Sequence, residues 1–171
     1  IDADFDGRAD QYRWLGTAGI RWAIDEDEDG KIDRWKAISP EEVTEEAVLA
    51  MSNKDADRFK LLLMTPNELR ELGLGTEKAK ELAKQLVATS TSYENLLQTQ
   101  NIVANTARWV NFGGTRPGVV PAGTDGSTKD LHVYENVAAV VESDGSHNQV
   151  VVGTLIQVGS VWRLVDLPRT E

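Results

Sequence analysis

The chain has 171 residues, with 28 Asp and Glu against 18 Lys and Arg and no cysteine. This length accommodates one ordinary domain or two small ones, each able to bury a core. Without cysteine there are no disulfides, thiolate metal sites or thiol catalysis, and a net charge of −10 argues against a general nucleic-acid binder, because phosphate binding needs a basic face.

The composition, 40% hydrophobic and 27% charged, is that of an ordinary globular protein. No apolar run approaches the ~20 residues of a membrane helix; the longest is about the length of Val137–Val141. The chain opens on Ile1 with neither an initiator methionine nor a signal peptide, which leads us to expect a processed product or a piece of a longer chain. The charge is uneven. Residues 1–46 hold 14 acidic and six basic side chains, a balance of −8, which leaves about −2 for the other 125 residues.

In chain order, short alternating runs at Tyr12–Trp14, Ile20–Ile24 and Arg34–Ile38 predict three strands of a β-meander. Leu15–Gly19 turns between the first two strands, and an acidic loop joins the second and third. Arg-Trp recurs at 13–14, 21–22 and 34–35. Side chains alternate along a strand, so Trp14, Trp22 and Trp35 are expected to stack on one face with the arginines turned to water or the acidic loops. We read that face as the core of a small sheet rather than as a carbohydrate platform.

Helices are predicted next. Ser39-Pro40-Glu41-Glu42 has the form of a capping box with proline at the first helical position, and Val43, Ala47, Ala50 and Met51 follow at helical spacing. Asp55 caps a short second helix, Thr65-Pro66-Asn67-Glu68 opens a third that ends near Gly73, and Thr76 caps a fourth. A further turn or two carries Tyr93, Leu96 and Leu97. Leu69–Leu82 resembles the helix-hairpin-helix pattern, in which a Gly-hydrophobic-Gly turn faces a phosphate. Glu71, Glu77 and Glu81 interleave with its lysines, however, and a plain helix–helix turn is the expectation. Strands are predicted at 107–113, 116–121, 130–142, 148–159 and 160–166, with Asp144-Gly145 as a hairpin turn.

The strongest motif occurs twice. Asp2-Ala3-Asp4-Phe5-Asp6-Gly7-Arg8-Ala9-Asp10 and Asp25-Glu26-Asp27-Glu28-Asp29-Gly30-Lys31-Ile32-Asp33 share the pattern D-x-D-x-D-G-x-x-D. Ca²⁺ takes six to eight oxygens at ~2.3–2.6 Å. Alternate residues of a tight loop turn inward, so Asp2, Asp4 and Asp6, and likewise Asp25, Asp27 and Asp29, are predicted carboxylate ligands. Arg8 and Lys31 would offer backbone carbonyls, with Asp10 and Asp33 closing each shell. An oxygen-only donor set does not suit structural zinc, and Mg²⁺ fits a flexible multi-carboxylate loop less well. The expected cofactor is therefore Ca²⁺ at two sites, which would bring the net charge from −10 to about −6. A helical EF-hand is excluded because Arg13 and Lys36 stand where its bidentate glutamate belongs.

These loops resemble the calcium-binding β-hairpin loops of FG-GAP/VCBS-type repeats, and also those of thrombospondin type 3 and dockerin repeats. The resemblance covers roughly residues 1–38 and implies a metal-stabilised repeat module of secreted or cell-surface proteins, with the eight aspartates as ligands. The ending Gly159-Ser160-Val161-Trp162-Arg163-Leu164-Val165-Asp166-Leu167-Pro168 resembles the last strand of nuclear transport factor 2-like (cystatin-like) domains. That resemblance implies a cone with a pocket between sheet and helices.

The expected fold class is α+β: an N-terminal calcium-loop β-meander over 1–38, then a domain over 39–171 with helices packed on a curved antiparallel sheet. The expected function is a non-enzymatic calcium-binding structural or interaction protein, placed extracellularly, at the cell surface or in the periplasm. Its expected partners are calcium and homo-oligomer or filament neighbours, with no nucleic acid and no membrane span. No catalytic residue is assigned, since His132 and His147 lack the spacing of any catalytic motif. The alternative is a small-ligand binder or enzyme using the helix–sheet pocket near His132, Tyr134 or Trp109.

Overall fold

The computed structural model describes residues 1–169. Three short strands come first: β1 (Gln11–Arg13), β2 (Arg21–Ile24) and β3 (Arg34–Ile38). Four helices follow, α1 (Pro40–Asn53), α2 (Ala56–Lys60), α3 (Pro66–Glu71) and α4 (Thr76–Thr99). Five strands complete the chain: β4 (Arg108–Phe112), β5 (Gly118–Val120), β6 (Leu131–Ser143), β7 (Ser146–Val158) and β8 (Val161–Leu164). A single 3₁₀ turn at Thr124–Gly126 precedes β6.

All eight strands belong to one sheet, in the order β1-β2-β3-β8-β7-β6-β4, with β5 also pairing with β6. Here the expected fold class is overturned. The meander is continuous with the C-terminal strands, because β3 pairs parallel to β8 through Ile38 and Val161. The sheet is therefore mixed, open and neither closed nor strongly curled. It has neither the curved antiparallel cone of nuclear transport factor 2-like domains nor the architecture of a calcium-loop repeat.

The helices are interspersed for a reason visible along β7 and β8. Consecutive strand residues face opposite ways, yet Leu155 and Ile156 are both buried, as are Leu164 and Val165. Leu155 and Leu164 join one apolar cluster with α1, α2 and the C-terminal half of α4, including Met51, Phe59 and Leu97. Ile156 and Val165 join a second with Leu69 of α3 and Leu82 and Leu86 of α4. A sheet buried on both faces carries near-continuous apolar runs, as Val150-Val151-Val152 does.

A further pairing was not predicted. Between α2 and α3, Met64 donates its N–H to Leu164 O (2.9 Å) and Leu164 donates to Leu62 O (2.9 Å), so a short extended piece runs parallel to β8.

The helix starts show which local signals survive tertiary demands. Thr65 forms a full capping box with Glu68, and Asp55 accepts from Arg58 N at 2.9 Å. Ser39 does not cap α1 through its side chain, and its hydroxyl is buried without a partner. Glu42, the expected reciprocal partner, instead accepts from Gly19 N at 3.0 Å and faces Arg21. Thr76 opens α4 rather than capping it, because Gly75 takes the cap position. The helix then runs unbroken through Tyr93, Leu96 and Leu97.

Candidate functional site

The two acidic loops fold alike at an offset of 23 residues. The aspartate at the first position accepts from the glycine N–H, Gly7 to Asp2 Oδ2 at 3.0 Å and Gly30 to Asp25 Oδ2 at 3.0 Å. The fifth-position aspartate accepts from the seventh N–H, Arg8 to Asp6 Oδ1 and Lys31 to Asp29 Oδ1, both at 2.8 Å. The ninth accepts from the second N–H, Ala3 to Asp10 Oδ2 at 2.9 Å and Glu26 to Asp33 Oδ2 at 2.6 Å. Short Asx turns of this kind follow from the reach of an aspartate to the backbone two residues on. Each loop turns back through left-handed backbone at its fourth and sixth residues, Phe5 with Gly7 and Glu28 with Gly30. Only the sixth position holds glycine, which tolerates positive φ at no steric cost.

One carboxylate oxygen from each of Asp2, Asp4 and Asp6 lies within 4.8 Å of the others, and the same holds for Asp25, Asp27 and Asp29. Asp10 and Asp33 are not in these groups; they brace their loops by accepting from the Ala3 and Glu26 amides. Arg8 and Lys31 enter through their backbone N–H groups, and the Lys31 ammonium reaches Asp29 at 3.4 Å on the surface.

The donor set is hard oxygen throughout, as Ca²⁺ requires. One oxygen of Asp10 is buried with no hydrogen-bond partner, a carboxylate atom for which the loop itself supplies no donor. By their donor chemistry the two groups of three aspartates fit a hard divalent cation, and the Asp10 atom lies outside them. Exposed acidic groups of this kind are also common without a metal.

Two neighbours of the loops are not part of the motif. The Tyr12 hydroxyl donates to the buried Asp25 at 3.2 Å, and desolvation, then this hydrogen bond, push its pKa up. Glu28, at the fourth position of the second loop, lies beside the first loop. Its carboxyl is pushed above the usual glutamate range by desolvation, then by Asp6 and Asp4. The only sequence signal for this proximity is the meander, whose hairpins bring both loops to one end of the sheet.

The tryptophans divide between the two faces. Trp14 packs with tilted rings between Tyr12 and Trp35 on the inner face, at ring distances of 6.2 and 5.9 Å. Trp22 faces outward, sandwiched between the Arg13 guanidinium at 3.5 Å and the Lys36 ammonium at 3.9 Å. The expected single aromatic face is therefore wrong. Arg21 takes an inward place instead, 8% exposed, against Glu42, Glu45 and Glu46 of α1. Strand alternation places Arg21 and Ala23 on one side and Trp22 on the other, and the charged stretch of α1 receives the arginine.

The other candidates are dispersed. Trp109 donates its indole N–H to Thr44 Oγ1 at 3.0 Å and packs on α1. Tyr134 sits half-buried between Phe112 and Trp162 against the core. His132 is exposed opposite Val119, and His147 is exposed near the β6–β7 hairpin. They do not converge on one cavity. The α3–α4 turn is pressed onto the 3₁₀ turn: Thr128 N donates to Gly73 O at 2.8 Å, and a Cβ on Gly75 would lie 1.9 Å from Asp125 O. Lys78 and Lys80 pair with Glu81 and Glu77.

Among the described residues no helix is long and apolar enough to cross a membrane. Comparison of the chain with protein-family models, curated proteins and solved structures found no match.

Proposed function

We propose that this is a non-enzymatic calcium-binding protein in which two Ca²⁺ ions, one in each acidic loop, stiffen the N-terminal end of the sheet. The observation that carries this reading is the congruence of the loops. Two segments that differ at most of their non-aspartate positions adopt the same hydrogen bonds and gather three carboxylates each within 4.8 Å. Carboxylates held this close repel one another, and a divalent cation relieves that repulsion. Calcium loops of modest affinity work at the ~10⁻⁴–10⁻³ M calcium typical of extracellular modules, which favours a secreted, cell-surface or periplasmic setting. Both ends of the open sheet, β1 and β4, leave an edge through which copies of the chain can associate.

Calorimetric titration with Ca²⁺ tests the proposal. Two equivalents per chain are expected, falling to one in Asp29→Ala. Absence of binding at millimolar calcium refutes it. Sedimentation of the same samples with and without calcium reads self-association, and a monomer in both conditions counts against the edge pairing.

A further inference from the structure

A separate cavity of about 310 Å³ lies between the first turns of α4 and the β5–β8 part of the sheet. It is at the small end of the range for ligand pockets, ~300–1,000 Å³. Its floor is apolar, formed by Leu82, Leu131, Val133, Ile156 and Val165. These same residues belong to the second core cluster, so the helix and sheet that form this core stand apart here and leave room between them. One end is held by the contact of Gly75 with the 3₁₀ turn, which fixes the start of α4 over the sheet.

The rim is acidic. Glu81, Asp125 and Glu135 line it against Lys78, which is bound to Glu81 at 2.8 Å and also feels Asp125, and at its margin the Arg169 guanidinium donates to Asn136 Oδ1. Among the described residues, Asp125 and Glu135 have no ion-pair partner. The placement of Glu135 is a product of the fold. Register in β6 jumps from Tyr134 opposite Leu155 to Val137 opposite Gly153, which inserts one extra residue into β6. Asn136 takes up the bulge with φ of 50°, and both Glu135 and Asn136 line the cavity where strict alternation would send one of them to the other face. Asp125, which also lines the cavity, has left-handed backbone as well, with φ of 50°. Two non-glycine residues in this sparsely populated region, Asp125 and Asn136, thus line one apolar cavity, the Asn136 oxygen being taken by Arg169.

We propose that this cavity is a binding site for a small amphipathic cation, its hydrocarbon or aromatic body on the Leu82–Ile156 floor and its ammonium between Asp125 and Glu135. The site is independent of the acidic loops. An apolar body accounts for the floor, and a positive head group complements a rim that holds two unpaired carboxylates. A carboxylate ligand would meet repulsion there, and a neutral one would leave both charges unused.

The test uses the full chain and three probes of one size: benzylamine, benzyl alcohol and benzoate. Binding is followed through backbone amide resonances. Benzylamine is expected to shift the amides of Leu82, Val133 and Ile156 and to bind more tightly than benzyl alcohol, with benzoate weakest. In the double variant Asp125→Asn, Glu135→Gln the preference for the amine should drop by about fivefold, with the alcohol unchanged, as expected for loss of partly exposed charge pairs. Asparagine retains tolerance for the left-handed backbone at 125, and residue 135 is exposed, so the variant should keep its fold. Benzoate binding as well as benzylamine overturns the proposal. So does an undiminished amine preference in the double variant, or the absence of shifts at these amides with all three probes.

Discussion

Arg21 is the residue whose loss should be felt most in the N-terminal third. It is 8% exposed and faces three carboxylates of α1: Glu42 at 2.6 Å, Glu45 at 2.8 Å and Glu46 at 3.2 Å. The closest pair meets off the hydrogen-bonding line, so its contribution is mainly Coulombic. Replacement by methionine keeps much of the volume but strands Glu42, which is wholly buried and keeps only the Gly19 amide. Glu46 retains Arg58 at 2.7 Å, and Glu45 is exposed enough to turn to water. The cost therefore falls chiefly on one uncompensated buried carboxylate, about 3–5 kcal/mol. At roughly 2–4 °C per kcal/mol for a chain of this length, the melting temperature should fall by about 6–20 °C. Urea unfolding followed by circular dichroism, with thermal melts alongside, measures both quantities. A loss below about 1 kcal/mol would show that Glu42 is not held by Arg21, and the account of how β2 is fastened to α1 would fail.

Glu46 offers a pH test in the same cluster. Burial, only partly offset by Arg58 and Arg21, pushes its carboxyl above the ordinary glutamate range. The folded state thus holds this proton more tightly than the unfolded chain. The resulting stability is fully present below the unfolded pKa, about 4.3, and is lost as pH rises through the raised folded value. The stability of wild type relative to Glu46→Gln should decline over that window in paired urea titrations, and a rising difference would reverse the sign and refute the assignment. At Gly75, substitution by alanine would place a Cβ 1.9 Å from Asp125 O. Because that neighbour is backbone and cannot swing aside, a destabilisation of about 1–3 kcal/mol is expected by denaturant unfolding, and an unchanged midpoint would show that the 3₁₀ turn moves freely.

Much of the local structure was legible in the sequence because its causes are local. The Asp144-Gly145 turn joins the two long strands through positive φ at both residues, as a two-residue hairpin demands. Thr65-Pro66-Asn67-Glu68 makes its capping box because both partners lie within one turn. The two acidic loops follow the same logic, since their aspartates bond to backbone a few residues away. The 13-residue strands β6 and β7 are legible from their runs of apolar and β-branched residues and their shared turn.

What the sequence could not show is where distant pieces compete for the same atoms. Ser39-Pro40-Glu41-Glu42 has a capping signature as good as the second one, yet Glu42 is drawn away by Arg21 and Gly19, which lie over 20 residues earlier. Spacing alone puts Trp22 with the other tryptophans, but the β1–β2 register sets it opposite Arg13 and so on the outer face, beside Arg13 and Lys36. The rim of the α4 cavity depends on a one-residue bulge in β6 that no composition or period marks. The acidic pattern, the strands and the helices were set by neighbours in the chain. The single mixed sheet was decided by one parallel contact, Ile38 with Val161 across more than 120 residues. Such a pairing has no local signature, because its stability comes from burying both faces of β7 and β8 under helices contributed from the middle of the chain.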